Sequence, residues 1–199
     1  MLAADTLLDH VYATLDDLHR VHTVDAGIAL RALSRAQQWV AIRYRLLRAT
    51  IPVTLGAGIP LYPRLDGGAQ AVTVLSASLN GTPLAVVPLH ALRVVDPAWL
   101  KTSGTPTLLY CVRWSLWGFY PVPSASGYVL VGAVMAPIKL TTLTQRLEIP
   151  DAYADQVLHV TTGLLLCTRE GALQDGVAYV QRGLNLGTAA SRPLAGQVA

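Results

Sequence analysis

Apolar residues recur three and four apart at both ends of the chain and every second residue in its middle, and this change of period predicts the layout. Between Thr6 and Arg20, Leu7, Leu8, Val11, Leu15 and Leu18 mark an amphipathic helix of about four turns, with Asp5 or Thr6 placed to accept from the orphan N–H groups at its start. His22-Thr23-Val24-Asp25 breaks the pattern, and Thr23 or Asp25 can cap a second helix running to about Ala49. On that helix Ala29, Leu33, Ala36, Val40, Tyr44 and Leu47 form one stripe, so it can pack antiparallel to the first. Ile51-Pro52 ends it, because the residue before proline is pushed out of the α region, and Val53-Thr54-Leu55 has strand composition. Gly56 to Gly68, broken by Pro60 and Pro63, reads as a loop with room for one short strand.

From Ala71 the period is two, and Asn80-Gly81 predicts a hairpin with Leu84–Val87 as its return strand. Leu89–Val95 fits a short helix or a strand, closed by Asp96-Pro97. Three runs follow the turn Ser103-Gly104-Thr105-Pro106, namely Thr107–Arg113, Ser115–Tyr120 and Tyr128–Met135. They predict a β-meander, whose last strand is apolar at nearly every position and so is expected to be covered on both faces. Past a threonine-rich connector, Leu140–Glu148, Ile149-Pro150-Asp151 starts a helix to about Arg169: proline presets the entry and Asp151 puts negative charge at the positive end of the dipole. Tyr153, Val157, Val160 or Thr161, Leu164 and Leu165 line one face of it. A last helix, Leu173 to Leu184, carries Val177, Val180 and Leu184, and Thr188–Ala199 has no periodicity.

These elements predict an α+β fold: a helical bundle, made of the N-terminal helix pair and the C-terminal helices, with an inserted antiparallel β-sandwich or small barrel. The expected parts are a helix pair over 1–49, a β domain over 50–140, bundle-completing helices over 141–186 and a flexible tail over 187–199.

Hydrophobic residues make up 52% of the 199 and charged ones 14%, against roughly a quarter charged in ordinary soluble domains. No run reaches the ~18 apolar residues of a spanning helix, and Asp5, Asp9, Asp16 and Asp17 are out of place in a signal peptide. Neighbouring subunits are therefore expected to cover the surplus apolar surface. The net charge of +3 says little about nucleic acid. Cys111 and Cys167 read as buried thiols of a reducing compartment.

The sequence holds no catalytic pattern. His19-x-x-His22 has ligand-like spacing but no convergent carboxylate or thiol. Ser115, His90 and Asp96 compose a triad only on paper, and Asp16-Asp17 point apart on a helix. Gly56-x-Gly58 lacks a βαβ context, so loop chemistry accounts for it. No enzyme activity, cofactor or metal is expected. Trp99, Trp114, Trp117 and Tyr120 lack the interleaved Lys and Arg of a single-strand binder, having only Lys101 and Arg113 beside them, and read as core and interface. Arg31, Arg35, Arg45 and Arg48 lie mostly off the apolar stripe; they read either as a solvated face paired with the acidic first helix or as contacts to an acidic partner or DNA phosphate.

Trp99, Gly104, Pro106, Tyr110, Trp114, Tyr120, Pro121 and Pro123, followed by Leu143 and by Ile149, Pro150, Asp151 and Tyr153, form a pattern that resembles the head-to-tail adaptor family of tailed bacteriophages. With the flanking helices, the resemblance covers most of residues 5–185. It implies a structural virion protein, made in the bacterial cytoplasm and placed at the head-tail junction. Its subunits would form a homo-oligomeric, twelve-fold ring that joins the portal protein to a downstream tail component (nozzle, stopper or tail tube) and continues the DNA channel without sequence specificity. On this view Leu184, Leu186, Arg192 and Leu194 meet the portal, and Trp99, Trp117 and Tyr120 meet a neighbouring subunit or the tail. The alternatives are another tail-completion protein, a stopper or terminator, and a β-sandwich module that binds carbohydrate or peptide.

Overall fold

A computed structural model describes residues 3–19, 24–66, 69–112, 116–169 and 171–190. The chain is α+β and divides into two compact units, Met1–Leu46 with Pro137–Ala199, and Leu47–Ala136. The helices are α1 (Ala4–His19), α2 (Ala26–Arg43), α3 (Leu89–Val95), α4 (Ala154–Leu166) and α5 (Leu173–Ala190).

In the first unit α1 starts two residues before Thr6. The Ala4 and Asp5 N–H groups donate to the carbonyls of Gln145 and Leu143, and the Asp5 carboxylate accepts from the Thr6 N–H, so the connector and Asp5 together cap the helix. Leu7, Leu8, Val11 and Leu15 are buried as their spacing requires. Asp25 caps α2, its carboxylate accepting from the Ile28 N–H at 3.0 Å; Thr23 lies outside the described residues. This helix stops at Arg43, six residues short of Ala49, because Arg45 takes a left-handed conformation (φ 52°). The Leu46 N–H then bonds the Ala41 carbonyl across the end, a Schellman closure with arginine where glycine is usual.

Two polar side chains buried on α2 hold the connector. Ser34 accepts from the Leu140 N–H, and Gln37 accepts from the Glu148 N–H while donating to the Ile138 carbonyl. They satisfy backbone groups that irregular chain would otherwise bury unpaired. A 3₁₀ turn, Asp151–Tyr153, leads into α4. The contact of α4 with α5 is made through glycine: a Cβ on Gly163 would stand 2.6 Å from the Gly176 carbonyl oxygen, and one on Gly183 would stand 2.8 Å from that of Gln156. Glycine is required there because only its absent side chain lets the two backbones come so close. The helix α5 runs on past Leu184 to Ala190, so that residues 187–190, expected in the tail, are helical, and Val177 is exposed.

In the second unit the strands are β1 (Arg48–Leu55), β2 (Leu61–Pro63), β3 (Leu65–Asp66), β4 (Ala69–Leu79), β5 (Thr82–Pro83), β6 (Ala85–Pro88), β7 (Ser103–Gly104), β8 (Leu108–Val112), β9 (Leu116–Tyr120), β10 (Val122–Pro123) and β11 (Gly127–Met135). One sheet has the order β1-β11-β4-β3, with β5 on β4; the other has the order β2-β9-β8-β6; β7 and β10 form a separate pair. Ile51, Val53, Leu55, Val129, Val131 and Ala133 of the first sheet share one core with Tyr62, Leu109, Trp117 and Phe119 of the second. This is a sandwich, and among the described residues it does not close into a barrel.

Three expectations are corrected here. The Asn80-Gly81 hairpin returns for only two residues as β5, since the chain changes sheets between Leu84, whose N–H bonds Ala77, and Ala85, whose N–H bonds Thr107. Successive N–H groups of an extended chain point opposite ways, so one residue joins each sheet. Next, β6 pairs β8 in parallel and β10 pairs β7 in parallel, so the sheets are mixed and not purely antiparallel. Finally, β8 and β9 form a hairpin but β11 pairs β1 and β4 in the opposite sheet, so there is no meander. With one face of β11 turned out, Tyr128 and Leu130 are exposed while Val129 and Val131 are buried. Pro52 sits inside β1, where it is tolerated because β1 is an edge strand.

Candidate docking surfaces

On the helical unit α2 and α4 leave a groove between them. Ile28, Arg31, Ala32 and Arg35 of α2 face Leu164, Leu165 and Thr168 across a cavity of about 330 Å³. It is continued at one end by a second hollow, about 250 Å³, lined by Val24, Asp25, Ile28, Leu165, Thr168 and Arg169. The floor is aliphatic and the rim cationic. Arg31 and Arg35 are one turn apart and both exposed, because the opposite face of α2 buries Ala29, Leu33, Ala36 and Val40. A surface of this kind can bury an apolar side chain and pair a carboxylate in the same contact.

Of the four arginines singled out by sequence, the fold brings only these two together. Arg45 is taken up in the left-handed turn after α2, and Arg48 opens β1 in the other unit. Arg169 was missed, since it lies in the turn after α4 and joins the groove only through helix packing.

The aromatic candidates are drawn inward. Trp117 is fully buried in the sandwich core and Trp99 is 7% exposed, packed edge-on against Tyr110 with ring centroids 5.0 Å apart. Burial of that kind spends these rings on the fold of their own unit and leaves no face of Trp117 to offer a neighbour. Tyr120 is half-buried and donates to Asp96 at 3.1 Å, and the Thr102 hydroxyl donates to the same oxygen at 2.6 Å. The Thr102 hydrogen bond, before those from Ala98 and Tyr120, holds the Asp96 carboxyl below its ordinary value, and hydrogen bonding to Asp96 raises Tyr120. Burial pushes the Tyr110 hydroxyl up to about 12. Within the sandwich unit, several residues of the adaptor-like pattern pack on one another or on near neighbours: Trp99 on Tyr110, Tyr120 on Asp96, and Gly104 against Pro121. Their task is packing.

Leu184 is half-buried on α5, where its carbonyl accepts from the Tyr44 hydroxyl at 2.6 Å. Leu186 lies further along α5, and its side chain, like Trp114, Arg192 and Leu194, is outside the described residues.

The sandwich unit has its own cleft, about 590 Å³, lined by Arg64, Val72, Thr73, Val74, Val86, Val87, Pro88 and Cys111. Arg64 was not singled out by sequence either: it is 3% exposed, donates to the Val72 carbonyl at 2.7 Å and lies 5.9 Å from the Trp117 ring centroid. Burial raises the Cys111 thiol, opposed by the Arg64 charge, so it is a weak nucleophile. Both cysteines are free and half-buried, where full burial was expected.

Asp96, spent on Thr102, Tyr120 and the Ala98 N–H, is not available as a triad member, and Ser115 and His22 lie outside the described residues. Among the described residues no group of three His, Cys, Asp or Glu could hold a metal ion, and no helix is long and apolar enough to cross a membrane. A model of the SU10 adaptor protein family, a phage head-tail adaptor family, matches residues 3–167. No curated protein matches.

Proposed function

Because the chain belongs to the SU10 adaptor family of phage head-tail adaptors, we propose that its subunits form a ring, of twelve copies, between the portal and the next tail component, continuing the channel through which DNA passes. The observation that carries this reading is the match across residues 3–167, which takes in α1 to α4 and both sheets. Composition supports it: a chain with 14% charged residues and exposed Val94, Val95, Ile138 and Leu173 gains by burying surface against neighbours. The work proposed is mechanical, non-enzymatic and cofactor-free, at the head-tail junction of the virion, after synthesis in the host cytoplasm. DNA in the lumen is contacted without sequence readout.

Portal contact is assigned to the C-terminal end of the chain, through Leu184, Leu186, Arg192 and Leu194, and tail contact to the β unit. Removal of Ser191–Ala199 takes away Arg192 and Leu194 and leaves α5 with Leu184 and Leu186 in place, so it should weaken portal attachment. Mass measurement of the full chain, alone and with the purified portal of the same phage, tests the reading as a whole. A ring or a portal complex is expected; a monomer under both conditions would overturn it. A carbohydrate-binding module would instead stay monomeric and change its tryptophan fluorescence with glycans.

A further inference from the structure

We propose that neighbouring subunits are joined by the acidic outer face of α1 on one copy, which lies in the arginine-rimmed groove between α2 and α4 on the next. The proposal rests on the ring reading and adds to it the residues that make the contact.

Four observations point to this pairing. Asp5 and Asp9 are exposed on α1, four residues apart; Arg31 and Arg35 are exposed on α2, also four residues apart. A helix rises ~1.5 Å per residue, so each pair spans about 6 Å, and two helices lying alongside can match both charges at once. Among the described residues none of the four takes part in an ion pair within its own chain, and Asp5 only accepts from its neighbour Thr6. Their charges are therefore available to another molecule. Third, Thr6 and Ala13 are the small exposed residues beside the aspartates, so α1 can sit down on Ile28 and Leu164, the aliphatic groove residues still open to solvent, Ala32 and Leu165 being buried within their own chain. Lastly, donor and acceptor surfaces differ, so each copy keeps a free groove and a free α1 when the contact is made head to tail, as a ring requires.

The groove also restricts the register. Asp25 lines its far end, with its carboxylate turned to the α2 N-terminus, and would repel an aspartate placed there. That disfavours a shift of Asp5 and Asp9 past Arg31 toward the α2 N-terminus. Duplex DNA would satisfy the arginines but leave exposed Ile28 and half-buried Leu164 uncovered, whereas a helix covers both, so the second copy is the occupant the surface favours.

Charge reversal tests this directly. The double variants Asp5→Arg/Asp9→Arg and Arg31→Glu/Arg35→Glu are each expected to lose the ring, giving monomers by mass with unchanged circular dichroism. Mixed in equal amounts, they are expected to regain it as an alternating ring, since the reversed α1 of one variant then meets the reversed groove of the other. Should either reversal disturb folding, the neutral pairs Asp5→Asn/Asp9→Asn and Arg31→Gln/Arg35→Gln take its place and should weaken assembly at least tenfold in subunit concentration. Variants that assemble alone as well as the wild type, or folded variants that fail to recover on mixing, would overturn the pairing. A wild-type ring that persists in Arg31→Glu/Arg35→Glu while retention of duplex DNA falls would overturn it in favour of nucleic acid. A wild-type chain that stays monomeric with and without portal would sink the ring itself, and the pairing with it.

Discussion

The helical unit makes its closest contacts where side chains are missing, and the sandwich unit makes them where side chains are largest. Backbones meet at Gly163, Gly176 and Gly183 between α4 and α5, with atoms 2.6–2.8 Å from any added Cβ. In the sandwich unit Trp117 and Phe119 lie in the core between the sheets and Tyr110 in a second cluster with Leu92 and Trp99, all three rings at 0% exposure. One glycine there serves the opposite purpose: Gly118, paired with Tyr110 across β8 and β9, leaves room for the Tyr110 ring, which would stand 2.1 Å from an added Cβ. Large side chains bury more area per residue, while glycine contacts hold two helices at one fixed distance and angle. Gly118 apart, the sandwich should therefore be sensitive to deletion and the helical unit to addition.

Trp117→Ala should give the largest effect, a loss of about 4 kcal/mol of stability in denaturant titration. Trp39→Ala is the control in the helical unit, where the ring is 42% exposed, and should cost under about 1 kcal/mol. Equal losses would break the contrast. Gly118→Ala comes next, at about 3 kcal/mol, because the Tyr110 ring must leave its place. In a Tyr110→Ala background the same change should cost far less, and a double-mutant cycle with no coupling would remove the explanation. Gly183→Ala is a smaller case: the new methyl gains about 1 kcal/mol of helix propensity but strains the contact with Gln156 and Val160 by about 2 kcal/mol, so a thermal melt should show a modest net loss. A stabilised variant would mean that α5 can give way.

The smallest effect concerns pH. His159 lies on α4 with its ring 5.9 Å from that of Tyr179 on α5, and burial first, then the Arg182 charge, lowers it from the ordinary 6.5 against the pull of Asp155. The unfolded chain takes up a proton at about 6.5 that the folded chain refuses, so stability is full above that pH and declines as pH falls below it. Urea midpoints at pH 7.5 and 5.5 should differ in that direction, and His159→Phe should reduce the difference. An unchanged gap would place the titration elsewhere.

Much of the layout was legible in the chain, because one buried face imposes a period. The leucines of α1 report where a face must be covered, and Asp25 reports the one capping bond that a side chain makes at α2, whereas the nearly continuous apolar run of β11 hid that only one of its faces is buried. The end of α2 was not legible, since Arg45 takes a left-handed turn that the sequence would mark with glycine. Nor was the groove. Arg31 and Arg35 could be found by spacing, but Arg169, Leu164 and Thr168 reach it from more than a hundred residues away, through helix packing that no local pattern encodes.

Period, turn chemistry and composition are properties of short stretches of chain, and they determined the elements, the α+β class and the adaptor-like signature. Which sheet each strand joined, which tryptophans were consumed as core and which arginines came to share a rim depend on contacts between distant residues. Those were decided by tertiary packing, because burying a ring or aligning two helices draws its free energy from partners that the neighbouring sequence does not contain.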